Sequence, residues 1–230
     1  MTDTTESAVF VWKQKKLCEI YGVDFKKVEE LNSIIAPLLS NLTKVNLKIV
    51  NEKFADITRK LDYWMDIVGV SASKEANLTP KQKSLLELFS YLVLVEGIFS
   101  EIIQVIAFIL VENHHDIYDV ENREFVRNYE GLNNPSLFEK MQFVEMHGFK
   151  FISDACDRDL RNSIAHLRII VNDDGSMVEI TRKGKTGKAI KDMGNKTLYL
   201  GCVCAIAVNA VHGLLGKRLE AEKQKKPNLQ

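Results

Sequence analysis

Residues 79–114 read TPKQKSLLELFSYLVLVEGIFSEIIQVIAFILVENH, and this stretch decides the fold. Thr79 supplies a hydroxyl N-cap, and Pro80 falls at the first helical position, where its missing N–H costs nothing. Apolar residues then continue to about His114, so the spacing predicts one long helix. Glu87, Ser90, Gly97, Glu101 and Gln104 recur at threes, fours and sevens and trace one narrow polar stripe. The rest is apolar, as in a helix at the centre of a fold with only a sliver exposed. Glu96 stands off that stripe, among Leu92, Val95 and Phe99. A carboxylate buried there needs a partner, because an unpaired buried charge is very costly. Glu87, Glu96, Glu101 and Gln104 also interrupt the apolar residues, which points to a core helix rather than a membrane span.

Upstream, the first 22 residues read as a short helix or loose arm ending near Gly22. Asp24 is a natural N-cap for a helix that Pro37 ends or kinks. Val45, Ile49, Phe54, Ile57, Leu61 and Trp64 recur at helical spacing from Thr43 to about Val68, and Gly69 closes the run. Residues 71–77 (SASKEAN) make the best linker in the sequence, dividing an N-terminal helical extension (1–78) from a helical domain (79–230).

Downstream, a shorter helix is expected near Asp119–Tyr129, and Asn134-Pro135 repeats the cap-plus-proline start. That helix runs to about His147, Gly148 bends or breaks it, and another follows over Phe151–His166. The texture then changes. Leu167–Val171 is β-branched and apolar, Asn172-Asp173-Asp174-Gly175 is a turn, and Met177–Thr181 alternates. This predicts one β-hairpin at about 167–182. Residues 182–191 form a basic, glycine-containing loop, and a last helix spans about Lys196 to Glu222. The fold class that follows is mainly all-α.

The formal net charge is zero, yet the charges are unevenly placed. Residues 1–78 balance, with eleven basic and eleven acidic side chains. Residues 79–160 carry seven basic against fourteen acidic, and residues 161–230 carry thirteen against six. The basic end leaves room for a cationic surface able to meet a phosphate backbone. The acidic N-terminal residues lack the apolar stretch of a signal peptide, so a cytoplasmic setting is expected. Cys18, Cys156, Cys202 and Cys204 form no Cys-x-x-Cys pair and read as free thiols.

Residues 157–166 (DRDLRNSIAH) hold the groups with chemistry. Asn162 and His166 are four apart and stack on one helix face, with Asp159 one turn earlier. Arg161 lies one position round and reaches the same groove. Asp157, four before Arg161, is placed to hold it by an ion pair. A fixed cation, an amide and an imidazole suit RNA cleavage without a metal. His166 would move a proton at the ribose 2′-hydroxyl or the leaving 5′-oxygen, and Arg161 would neutralise phosphoryl charge. Glu96 is a supporting candidate, as a buried partner for Arg161 or His166.

These residues resemble the signature of the HEPN-domain family, helical bundles bearing Arg-x4–6-His. Arg161, Asn162, Ala165 and His166 stand in the matching places, and the hairpin with Asp-Gly, the Lys-Gly loop and the closing helix are also similar. The resemblance covers roughly residues 79–220. It implies a homodimer with two motif helices facing a shared groove, and a metal-independent endoribonuclease, a hydrolase of toxin–antitoxin, phage-defence or RNA-processing systems. An antitoxin or other protein partner is implied with it, and neither a cofactor nor a membrane. Two positions depart from the pattern: Leu167 stands where Gly is common, and Arg168 where toxins paired with nucleotidyltransferases carry Tyr. Some family members keep the fold only as a non-catalytic dimerisation or binding module.

RNA is the expected ligand, with Arg168, Arg182, Lys183, Lys185 and Lys188 as candidate phosphate contacts. The remaining signals are weaker. His114-His115-Asp116 invites a metal reading, but adjacent histidines diverge on a helix and read better as a solvated helix end. His147 is another helix end, and His212 a core residue. Gly184-Lys185-Thr186 lacks the upstream glycine of a phosphate-binding loop.

Overall fold

The computed structural model describes residues 15–16, 18–19, 22–73, 77–119, 124–180 and 186–224. The chain is mainly all-α. Helix α1 (Phe25–Asn41) begins at Asp24, whose side chain accepts from the Lys26 amide, and α2 (Lys44–Ala72) begins at the Thr43 hydroxyl. The long central helix comprises α3 (Pro80–Val93), a π-helical stretch (Leu94–Phe99) and α4 (Ser100–Glu112). Thr79 and Gln82 close a full capping box at its start. After α5 (Leu137–Val144), α6 (Lys150–Ser153) and α7 (Arg158–Ala165), the last helix α8 spans Met193–Gln224.

Helices α1 and α2 pack on α8, α2 also packs on α3, and α4 packs on α5. The centre is α4, where Ile102, Ile103 and the run Val105–Leu110 are all buried. Such all-round burial is what an apolar helix needs in a packed core. Helix α8 contributes Leu200, Val203, Ile206, Ala207 and Val211 to the same core. Gly201 is required by its neighbour: a Cβ there would lie 2.2 Å from the Trp64 ring, whose indole N–H donates to the Ser90 carbonyl at 3.0 Å. Pro80–Glu112 and Met193–Glu220 are both long and apolar enough to cross a membrane by length and composition. In this fold 61% of each apolar window is buried inside the protein, so other helices cover most of it.

Several expected boundaries move. Pro37 lies inside α1 rather than ending it. The lost helical bond costs about 3 kcal/mol, which burial of Val28, Leu31, Ile35 and Leu39 at roughly 1.5–3 kcal/mol each outweighs. Gly69 likewise lies within α2. In place of a helix near 119–129 there is a short antiparallel pair, β1 (Tyr118–Asp119) and β2 (Glu124–Phe125), where Tyr118 and Phe125 meet across the strands. Helix α5 starts two residues later than Asn134-Pro135 suggests, because Ser136 and Glu139 form a complete capping box. Gly148 does break the helix, with φ +94, and His147 beside it leaves helical geometry.

The hairpin gains a third strand. β3 (Ile169–Val171), β4 (Met177–Ile180) and β5 (Thr186–Ile190) form one antiparallel sheet in that order. The basic stretch expected as a loop over 182–191 therefore includes a strand. The turn after β3 docks on the start of α3, where Ser84 donates to the Gly175 carbonyl and Lys81 pairs with Asp173.

Candidate active site

The expected helix over Phe151–His166 is two helices, and the break between them builds the site. Asp157 has extended backbone geometry and caps α7, its Oδ1 accepting from the Leu160 amide at 3.0 Å. Its other oxygen, Oδ2, takes Lys196 of α8 at 2.6 Å. The buried Tyr91 hydroxyl of α3 accepts from the Asp157 amide at 3.0 Å and donates to its carbonyl at 3.2 Å. Helices α3 and α8 thus fix the N-cap of this one. The expected Asp157–Arg161 ion pair is not formed, because an N-cap carboxylate turns to its own helix's free amides. Arg161 pairs instead with Glu96.

That pair is the main contact across the site. Arg161 Nε donates to Glu96 Oε1 at 2.5 Å, and Nη1 donates to Asn162 Oδ1 at 3.0 Å. The Glu96 hydrogen bond raises the arginine pKa further above its ordinary value, outweighing the opposite effect of partial burial. Of the five guanidinium N–H groups these bonds use two, leaving one on Nη1 and both on Nη2 for a ligand. Glu96 was expected to be buried, but its side chain is 42% exposed and that of Arg161 is 32% exposed. The reason is the π-helical stretch: each such turn takes an extra residue, so a stripe counted at the α-helical angle slips there. The outer face of α3 carries Leu85 and Phe89, while Ser90, expected on the polar stripe, is buried.

Asn162 and His166 are exposed on the outer side of α7, and Asp159 is exposed one turn before Asn162. Neither the His166 imidazole nor the Asp159 carboxylate has a hydrogen bond or ion pair among the described residues. Arg161 and His166 are about 7.5 Å apart along the helix axis and roughly 140° apart around it. They flank the helix rather than share one face. Ser163, on the buried side, bonds the Glu179 carboxylate of β4 and locks α7 to the sheet.

The helix ends in a tight αL turn. His166 is the C-cap, Arg168 N–H donates to the Ser163 carbonyl at 2.8 Å, and Leu167 N–H donates to that of Ile164 at 2.9 Å. Leu167 takes φ +53, the region where a side chain is strained by about 1 kcal/mol and Gly is usual. It is 89% exposed, so packing does not repay that cost. Among the expected phosphate contacts, Arg168 is half-buried within this turn and its carbonyl accepts from the Ile180 amide at 2.6 Å. Lys188 is exposed on β5, and its charge is felt at Asp157. Arg182, Lys183 and Lys185 lie outside the described residues.

Two clefts meet beside α7. The larger, about 470 Å³, runs from Glu145, Lys150 and Asp154 to Asp157 and Asp159. The smaller, about 250 Å³, lies between α5 and α7 and reaches Arg161 and Asn162. Both share Met141, Cys156, Arg158 and Asp159. Burial pushes the Cys156 thiol up to about 11, so it stays neutral in this wall. Tyr91, Lys196 and Arg158 belong to the site without having been singled out from the sequence. For the first two only tertiary packing reveals them, whereas Arg158 sits inside the motif segment. His115 and His147 do meet, with ring centroids 4.4 Å apart. Among the described residues no three His, Cys, Asp or Glu side chains are grouped to hold a metal ion.

Burial tends to raise the Asp157 carboxyl, but the Lys196 bond, the Leu160 amide and the Lys196 and Lys188 charges outweigh it and hold the pKa below its usual value. A depressed carboxyl stabilises the fold above the unfolded-state pKa of about 4 and loses that contribution as pH falls through the folded value. Asn caps a helix as well as Asp does, so Asp157→Asn removes mainly the charge. It is expected to cost under about 1 kcal/mol at pH 7, since the pair is partly exposed. Urea unfolding of both proteins should show this gap closing between pH 7 and pH 3. A gap independent of pH would contradict the assignment.

No family model matches the chain, and no curated protein or solved structure is found similar to it.

Proposed function

We propose that the chain is a HEPN-type, metal-independent endoribonuclease that acts as a homodimer. The observation that carries this reading is the exposure of Arg161, Asn162 and His166 together on one short helix whose two ends are rigidly held. A purely structural cluster of such residues would bury them or pair the imidazole. Here the imidazole faces solvent, and the guanidinium is aimed by Glu96 and Asn162 with three N–H groups to spare.

The chemistry fits in-line attack by the ribose 2′-oxygen on its own 3′-phosphate. His166 takes the 2′-hydroxyl proton as the new P–O bond forms, and the P–O5′ bond breaks as water gives a proton to the leaving oxygen. Arg161 forks onto the non-bridging oxygens as their charge grows. The products are a 2′,3′-cyclic phosphate and a 5′-hydroxyl. A biological setting in toxin–antitoxin, phage-defence or RNA-processing systems, with an antitoxin or other regulator as partner, follows from the same resemblance.

The flanking positions of Arg161 and His166 favour a site completed by a second copy. The face that would be shared carries Leu85 (48% exposed) and Phe89 (55% exposed) on α3, about 16 Å and 10 Å along the helix from Glu96, together with Leu167. Covering this patch is the expected gain on association. Sedimentation at micromolar concentration is expected to give a dimer, and the double substitution Leu85→Lys, Phe89→Glu a folded monomer. A monomeric wild-type protein would contradict this part of the reading.

One observation favours the alternative, a non-catalytic dimerisation or binding module: the Arg161–Glu96 bond ties α7 to the central helix and has a structural use of its own. Replacing Arg161 separates the two readings, as argued below.

A further inference from the structure

The smaller cleft beside α7 is built like a seat for a flat ring. One wall is Leu137, Phe138 and Met141 of α5, and the other is Asp159 and Asn162 of α7, with Arg161 adjoining. Its volume, about 250 Å³, is below the roughly 300–1,000 Å³ of pockets for drug-sized ligands, so a single ring system fits. Arg158 lies with its Cζ 3.7 Å from the Phe138 ring centroid, making a stacked aromatic–guanidinium plate. Bases of RNA stack on both kinds of surface.

The polar wall matches the edge of a base. Asp159 offers carboxylate oxygens that have no hydrogen-bond or ion-pair partner among the described residues. Asn162 uses Oδ1 for Arg161, which leaves its Nδ2 hydrogens unbonded among the described residues. An acceptor beside a donor complements the donor–acceptor pair on the Watson–Crick edge of a base. A carboxylate here disfavours phosphate, so the cleft is suited to a base while the free Arg161 N–H groups next to it are suited to its phosphate.

We propose that this cleft is a base-binding subsite. Phe138 and Arg158 stack one unpaired nucleobase of the RNA, and Asp159 and Asn162 hold its Watson–Crick edge, seating the adjoining 3′-phosphate at Arg161. This rests on the ribonuclease reading for its purpose, but its test does not need cleavage. Because the Watson–Crick edge is engaged, a base in a duplex does not enter.

The test is calorimetric titration of the full chain with cytidine 3′-monophosphate, adenosine 3′-monophosphate and inorganic phosphate, alongside cleavage of an RNA hairpin. Both nucleotides are expected to bind at least about fivefold more tightly than phosphate, the loss typical of one base stack. Phe138→Ala and Asp159→Ala should each remove most of that advantage, and neither should weaken phosphate binding. Both side chains are exposed, so the variants should fold, and Asp159→Asn provides a second, isosteric check. Equal binding of phosphate and nucleotides, or nucleotide binding indifferent to both substitutions, overturns the subsite even if RNA is cleaved. Nucleotide binding that follows these substitutions while wild type leaves all RNA intact upholds the subsite and overturns the ribonuclease reading instead.

Discussion

Replacing His166 by alanine is expected to slow RNA cleavage by at least about a hundredfold and to leave the fold unchanged. General acid–base catalysis by a positioned imidazole contributes roughly 10²- to 10⁴-fold. The imidazole is exposed and has no hydrogen bond or ion pair among the described residues, so its removal empties no buried cavity and orphans no buried polar group. The backbone of residue 166 only needs to accept a C-cap position with φ −94, which alanine does. Circular dichroism and the urea midpoint should therefore match wild type, while initial rates on a labelled RNA collapse. A variant within tenfold of wild type would remove His166 from the chemistry.

The second large effect is expected at Arg161. Arg161→Ala should cost about 10²- to 10³-fold in cleavage, the loss typical of one donor to a developing oxyanion. Stability should fall by no more than about 1 kcal/mol, because both members of the Arg161–Glu96 pair are partly exposed and Glu96 is rehydrated when its partner is removed. Arg161→Lys keeps the charge but loses the planar fork held between Glu96 and Asn162, so it should rescue little activity. The binding-module alternative expects the opposite division: a loss of stability or of dimer, and no cleavage in wild type to lose. Initial rates and urea midpoints measured on the same three proteins separate the two.

Much of this architecture can be read from local chemistry. Asp24, Thr43 and Thr79-Pro80 start helices where the sequence places them, because capping is decided by a residue and its next three neighbours. The long central and last helices follow from apolar content that leaves them nowhere but the core. What escapes is whatever depends on distant partners. Tyr118–Asp119 and Glu124–Phe125 pair as strands, with Tyr118 against Phe125, a contact with no periodic signature. The third strand, Thr186–Ile190, contains Gly187 and Lys188 and gains its strand character only by lying against β4.

At the site, Arg161, Asn162 and His166 were legible because they lie within six residues on one helix. Their environment was less so. Reading one helix through Phe151–His166 hid the break at Asp157 and made a four-residue ion pair with Arg161 look natural. The signal against it was present: an Asp three residues before Leu160, at the start of a charged turn, is an N-cap pattern. For Glu96 the sequence offers Arg161 or His166 as partner and the structure takes Arg161, but the expected burial fails because the π-helical stretch at Leu94–Phe99 shifts the phase of the stripe. Such stretches recur at functional sites, and this one carries the residue that aims Arg161.

His166 and Arg161 are proposed to cleave RNA by 2′-hydroxyl attack. The most direct measurement is end-group analysis of RNA incubated with purified wild-type protein in excess EDTA. Cleavage is expected to be undiminished by the chelator, with fragments ending in 2′,3′-cyclic phosphate and beginning with 5′-hydroxyl. Fragments ending in 3′-hydroxyl, or cleavage that stops when EDTA is added, would contradict it.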